Sequence, residues 1–205
     1  VRSMEDARAQ LLGLAPAVRV ETVSLDDALG RILVPPTVRA AADVPPFANA
    51  AMDGFAVRAV DLPGRLEIVG EVAAGASAWP TVSPGTAVRI STGAPLPPGA
   101  DTVVPVERTS ETDGWVEVGE AVPIGADVRS AGHDTRAGDE VALPVPLTPA
   151  GIGVLASLGL AGITVAARPR VAILSNGAEL VAPGVALAPG QIHDANAPAL
   201  AAMVR

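Results

Sequence analysis

Across residues 55–147 the apolar residues come in stretches too short for helices: FAVRAV, LEIVGEV, TAVRI, DTVVPV, GWVEVGEAV and EVALPV, separated by turn-forming residues. A helix needs an apolar stripe sustained over about ten residues or more, whereas a strand needs only about four to eight. The spacing therefore predicts a small β-rich domain, a barrel or a sandwich. The 20 Pro and 21 Gly among 205 residues follow no repeat, so they read as turns rather than as a collagen-like or disordered tract. With two Phe, two Trp and no Tyr, the core has to be aliphatic and rich in Ala and Val. A chain of this length buries roughly 70% of its unfolded surface, enough for one large or two small domains.

The flanks read differently. Ser3 with Asp6, then Met4, Ala7, Leu11 and Leu12, predicts a short capped amphipathic helix over residues 4–13, ended by Gly13 and Pro16. Ser24 with Asp27 repeats the capping signal, and Leu25, Ala28, Leu29, Ile32 and Leu33 predict a second helix that Pro35 and Pro36 stop. Residues 37–42 then run extended. Thr148 as N-cap and Pro149 at the first helical position open another helix, with Ile152, Leu155, Ala156 and Leu158 inward and Gly159 as its stop. A short strand follows at residues 162–166. RVAIL, residues 170–174, has the continuous apolar character of a parallel strand buried on both faces, and Asn196 opens a helical tail. A single strand and helix cannot cover both faces of such a strand, so the chain is expected to hold only the start of an α/β domain. The expected fold is mixed α/β and multi-domain. It comprises an elongated helical and extended stalk (residues 1–46 with 146–167), an inserted barrel-like β-rich domain (47–145), and the first β-α unit of an incomplete α/β domain (168–205).

A net charge of −8 argues against nucleic acid and anionic membrane as partners. All fourteen basic residues are Arg, which we read mainly as genome composition. The absence of Cys excludes disulfides, thiolate nucleophiles and iron-sulfur clusters, and it sits comfortably with a cytoplasmic location. No signal peptide or long apolar run occurs, so a soluble, unexported protein is expected.

Candidate chemistry centres on DVPPFANAAMDGFAV, residues 43–57, where Asp53 precedes Gly54 in a stretch otherwise apolar or turn-forming. Pro45 and Pro46 stiffen the approach, and Gly54 permits φ > 0 or a close approach to a ligand. The dipeptide also reads as an ordinary Asp-Gly turn. Ser91, Thr92 and Gly93 gather hydroxyls and amides that suit a phosphate or other oxyanion, or else form a plain turn. Asp134 lies between Arg129 and Arg136, as part of an ion site or of a solvated loop salt bridge worth at most about 1 kcal/mol. Glu179 follows RVAIL, at the end of the strand where open α/β sheets bind ligands, or serves as a first-turn helix acid. Glu107 reads as an exposed acid. His133 and His193 have no metal-ligand spacing, and serine-hydrolase, P-loop and dinucleotide motifs are missing. Oxygen ligands from Asp53, Asp134 and Glu179 suit Mg²⁺, and with Arg and hydroxyl groups they describe a site for a phosphorylated substrate.

PPFANAAMDGFAV, RISTGAPLPPGADTVV, VRSAGHDTRAGDEV, LASLGLAGITVAARPRVAILSNGAELV and GQIHDAN, in this order and spacing, resemble the molybdopterin molybdenumtransferase family, which includes bacterial MoeA proteins and the gephyrin E domain. The likeness covers nearly the whole chain. It implies molybdenum cofactor synthesis, in which molybdate enters adenylylated molybdopterin with Mg²⁺-dependent release of AMP. It also implies a homodimer with a site shared between subunits, contact with the molybdopterin adenylyltransferase, and a MogA-like α/β domain. By the same resemblance Asp53, Asp134 and Glu179 are catalytic acids, Asp134 and Glu179 hold Mg²⁺, and Ser91, Thr92, Gly93 and Arg129 bind substrate or anion.

The chain departs from the family pattern at Asn176 and Ala178, where Thr and Asp are usual, at His133, where an acid is common, and at Ala50, where Ser is common. Further family residues, lysines among them, would lie beyond Arg205, so the 205-residue chain is expected to be inactive alone. Two other readings stay open: a non-catalytic homologue or dimerisation module, and a generic Mg²⁺-dependent phosphohydrolase.

Overall fold

The computed structural model describes residues 3–14 and 17–204. They fall into two compact units, one spanning Val20–Ala166 and the other drawn from the two ends of the chain, through Arg19 and from Ala167 onward. In chain order the elements are α1 (Met4–Gly13), β1 (Val20–Ser24), β2 (Thr37–Arg39), β3 (Asn49–Ala50), β4 (Gly54–Val57), β5 (Gly64–Val72), β6 (Thr86–Ile90), β7 (Thr102–Pro105), β8 (Ser110–Thr112) and β9 (Trp115–Val118). After them come β10 (Val128–Arg129), β11 (Glu140–Ala142), α2 (Pro149–Ser157), β12 (Gly162–Ala166), β13 (Leu180–Val181), β14 (Ile192–His193) and α3 (Asn196–Met203). Pro16, named above as a helix stop, lies outside the described residues.

The unit Val20–Ala166 is organised by nested antiparallel pairs: β1 with β12, β2 with β11, and β3 with β10. The outgoing chain thus runs beside the returning chain, and residues 51–127 are inserted where the two meet. Proline has no amide to donate to a ladder. Accordingly, Pro35-Pro36 and Pro45-Pro46 divide the outgoing chain, with single bridges from Leu33 to Val165 and from Val44 to Thr135 beside the breaks.

The inserted segment forms a curled six-stranded sheet in the order β7-β4-β6-β5-β9-β8. Strand alternation sends Phe55, Val57, Ala87 and Val104 into one apolar cluster and Ala56, Val88, Ile90 and Val103 into another. The three strands β4, β6 and β7 are therefore buried on both faces, which is why their apolar runs are nearly continuous. In β5, Leu66 and Val72 would share a face by parity, yet they enter different clusters. A register shift between Ile68 and Glu71 turns the strand over between them. Burying each of the larger apolar side chains contributes about 1.5–3 kcal/mol. Gly54 owes its place to packing, because a Cβ there would overlap the Val104 carbonyl on β7.

A third cluster joins Ala28, Leu33, Leu143, Leu147, Leu155, Ile163 and Val165 under α2. That helix matches expectation: Thr148 Oγ1 accepts the Gly151 amide at 3.2 Å, and Gly159 follows with φ +76. Leu155 is buried, while Ala156, expected inward, is exposed.

Two expected elements do not form. Over residues 25–33 there is a turn, not a helix. Ser24 Oγ accepts the Asp27 amide at 3.4 Å, Ala28 and Arg31 donate three residues back to Leu25 O and Ala28 O, and two amides go to distant chain, Gly30 to Leu147 O at 2.9 Å and Val34 to Thr164 O at 3.1 Å. Donors spent on neighbouring strands are unavailable to a helix. Arg31 ties this turn down through an ion pair with Glu21 and a 2.8 Å bond to Ala166 O. Residues 170–174 form no strand and pair with none among the described residues, and Leu174 is 93% exposed. A strand of this composition needs paired neighbours and cover on both faces, and no described residue supplies them.

The other unit contains α1, α3 and the parallel pair β13-β14. Ser3 caps α1 by accepting the Asp6 amide at 3.1 Å, and α3 begins at Asn196 as expected. No described helix is long and apolar enough to cross a membrane.

Candidate functional site

Asp53 closes the turn between β3 and β4, where its backbone carbonyl accepts the Val106 amide at 3.1 Å. Its carboxylate reaches the 91–94 turn at the end of β6. Oδ1 accepts the Thr92 amide at 2.6 Å and the Thr92 hydroxyl at 2.8 Å. Both residues are exposed. The Thr92 amide, followed by its hydroxyl, holds the Asp53 carboxyl below the ordinary aspartate value, so the acid is ionised at neutral pH.

The 91–94 turn differs from an open anion cradle. Its amides are all donated within the chain: Ser91 to Val72 O at 3.0 Å, Thr92 to Asp53, Gly93 to Ala50 O at 2.9 Å and Ala94 to Ser91 O at 2.9 Å. Gly93 closes the turn with φ +79, where a side chain would be strained. Because the Thr92 hydroxyl donates to Asp53, only its lone pairs remain. Together with Asp53 Oδ2, which accepts no bond among the described residues, the pair offers acceptors only. Such a surface receives a hydrogen-bond donor or a hard cation, and it repels an oxyanion.

A cation for an oxyanion is close in the topology. β3 is flanked on one side by the 91–96 segment, through Ala50 N to Ala94 O at 3.1 Å and Leu96 N to Ala48 O at 2.9 Å, and on the other by β10. Arg129 stands on β10 directly opposite Asn49, exposed and without a partner among the described residues. The fold thus gathers Asp53, Ser91, Thr92, Gly93 and Arg129 around one short strand. Ala50, fully buried on that strand, occupies a place where a hydroxyl would lack water.

Asp134 belongs to the loop before β11. Its amide donates to Val44 O at 2.9 Å, and its carboxylate meets His133 Nδ1 at 2.9 Å instead of either flanking arginine. Asp43 steadies that loop by accepting the Ala137 amide at 2.8 Å, a role not foreseen from the sequence. Glu179 lies in the other unit, exposed, with its carboxylate folded back over Gly177 and its carbonyl accepting the Ile192 amide at 2.8 Å. It starts no helix. Glu107 is an exposed acid in a single 3-10 turn, Val106–Arg108.

Two further residues escaped the sequence reading. Asn49 is buried at 7% exposure, and its Oδ1 has no partner. Asp194 accepts the Ser175 hydroxyl and the amides of Ala197 and Asn196 at the start of α3, and these bonds lower its pKa. The acid two residues ahead of Asn196 was a legible capping signal; nothing local marked Asn49.

Comparison with known proteins places the chain in a family. The family described as "MoeA N-terminal region (domain I and II)" matches residues 2–159. Molybdopterin molybdenumtransferase 2 of Mycobacterium tuberculosis is 39% identical over 213 residues, covering 100% of this chain and 52% of the relative. Molybdopterin molybdenumtransferase of Nostoc sp. is 40% identical over 216 residues, covering 99% and 49%. The crystal structure of a molybdopterin biosynthesis moeA protein from Pyrococcus horikosii superposes with a TM-score of 0.86 at 33% identity, covering 100% of this chain and 54% of that one. The chain spans about half the length of the curated relatives it matches. It belongs to the MoeA family, whose amino-terminal region it carries.

Proposed function

We propose that this chain serves molybdenum cofactor biosynthesis, as part of a protein that inserts molybdate into adenylylated molybdopterin with Mg²⁺-dependent release of AMP. The observation that carries the reading is the exposed, ionised Asp53 carboxylate fixed by two bonds from Thr92. A preoriented acid of this kind accepts a proton or a hydrogen bond without reorganising as the reaction proceeds. Ser91 and Thr92 add hydroxyl oxygens, and Gly93 keeps the turn free of a side chain. Arg129 provides the positive charge that a phosphate or molybdate oxygen requires.

The donor chemistry fits Mg²⁺, which takes hard oxygen ligands and retains water. No three acidic or imidazole side chains cluster among the described residues. Asp134 and Glu179 belong to different units, so each is proposed by itself as a single carboxylate ligand, with water and phosphate oxygens completing the shell. When bound, such an ion would offset charge on a departing phosphate.

The rest of the reading is also a proposal. The stalk and β-rich domain are paired in a homodimer, and residues 168–205 start a MogA-like α/β domain. The substrate arrives from the molybdopterin adenylyltransferase in the cytoplasm, and the 205-residue chain is inactive alone. The test uses the full-length protein with adenylylated molybdopterin, molybdate and Mg²⁺. Wild type should release AMP, and Asp53→Ala should slow release by about 100-fold or more. A wild-type protein that releases none is a non-catalytic homologue or dimerisation module.

A further inference from the structure

Directly opposed residues of an antiparallel pair project their side chains from the same face, with Cβ atoms about 5 Å apart. Asn49 and Arg129 are such a pair. Asn49 Oδ1 is a buried acceptor with no donor, and Arg129 is a guanidinium with no acceptor among the described residues. A buried carbonyl left unpaired is costly, and folded proteins rarely keep one without a use. The two unmet groups are complementary, and an arginine stem is long and flexible enough to bring its head onto an opposed residue.

We propose that Asn49 is a positioning residue for Arg129: its Oδ1 accepts one guanidinium N–H, which aims the remaining donors at an oxyanion beside the Asp53–Thr92 turn. The Asp53–Thr92 pair offers only acceptors, so the anion is held from the β10 side. The ligand class is a phosphate or comparable oxyanion, such as the phosphate of a nucleotide. The inference rests on the proposed handling of phosphate at this site and adds to it the residue that orients the cation. A guanidinium with one N–H already engaged loses less freedom when the anion arrives.

The test is a double-mutant cycle on AMP binding to the full-length protein by calorimetry at fixed salt and Mg²⁺, with adenosine as the uncharged control. Arg129→Ala should weaken AMP binding by about tenfold. Asn49→Leu should weaken it by nearly as much, the double variant should lose no more than Arg129→Ala, and adenosine binding should not change. Asn49→Leu should also keep the wild-type thermal midpoint, because it removes a buried acceptor without emptying the space. If Asn49→Leu binds AMP like wild type while Arg129→Ala does not, the positioning role is wrong and the phosphate site stands. If the two losses add, or adenosine weakens in parallel, Asn49 acts through the general fold and the proposal fails. If wild type does not bind AMP, the phosphate site fails and the proposal fails with it.

Discussion

In the unit Val20–Ala166, Phe55, Ala56, Val57, Ala87, Val88, Val103 and Val104 are all fully buried, whereas no described residue of the unit formed by the chain ends is buried. The two units carry comparable apolar sequence. RVAIL is as apolar as TAVRI, yet β6 has strands on both sides and Leu174 is open to water. Burial, not composition, separates them, and the difference extends to the acids. Asp53 hangs from strands locked into a two-sided core, while Glu179 stands on a short parallel pair with no core of its own. A side chain is held to its geometry by the elements beneath it, so packed strands fix Asp53 and no buried residue backs Glu179.

The largest expected effect tests that contrast directly. Phe55→Ala should cost about 3–5 kcal/mol in urea unfolding, because it empties a fully buried site between packed strands. Leu174→Ala should change stability by less than about 0.5 kcal/mol. A comparable loss at both positions would show that the second unit has a core after all.

Helix caps give a smaller version of the same test. Thr148→Ala removes the cap of α2, whose Leu155 is buried, and should cost about 1 kcal/mol. Ser3→Ala removes the cap of α1, which buries no residue, and should leave the global transition unmoved. Global loss from Ser3→Ala would tie α1 to the cooperative core.

The smallest effect is the pH response of the two bonded acids, Asp53 in one unit and Asp194 in the other. Both have folded pKa values below the ordinary one. For a depressed carboxyl the stabilisation is fully present above the unfolded value of about 3.9 and disappears as pH falls through the lower folded value. Asp53→Asn should therefore narrow its gap to wild type as the pH drops below about 3.9. In global unfolding Asp194→Asn should show little gap at any pH, since its unit buries nothing.

Much of the core and one end of the site were legible. Short apolar runs bounded by turns located the sheet strands, and Thr148-Pro149 with Gly159 located α2, because those signals are local and have local physical causes. Ser24 with Asp27 misled, since a side chain accepting the amide three residues on serves a turn as well as a helix start. Only the partners Leu147 and Thr164, more than a hundred residues away in sequence, decide between them. RVAIL misled for a related reason: its composition is that of a buried strand, but a strand also needs a paired neighbour, which no described residue gives it. Asp53 and Thr92 were both singled out, while the bond joining them, across 39 residues, depends on β4 lying beside β6. Gly54 was read as freedom for the backbone, and the structure uses it for the approach of β7.

The β-rich unit holds Asp53 ionised and oriented by its own bonds. Carboxyl-carbon NMR titration of Asp53 in this chain, beside Thr92→Val, tests it most directly. The Asp53 midpoint should lie below the ordinary value of about 3.9 and move upward when the Thr92 hydroxyl is removed. A midpoint at or above the ordinary value, unchanged in Thr92→Val, would mean that the Thr92 turn does not hold the acid, and the preorientation of Asp53 would be refuted.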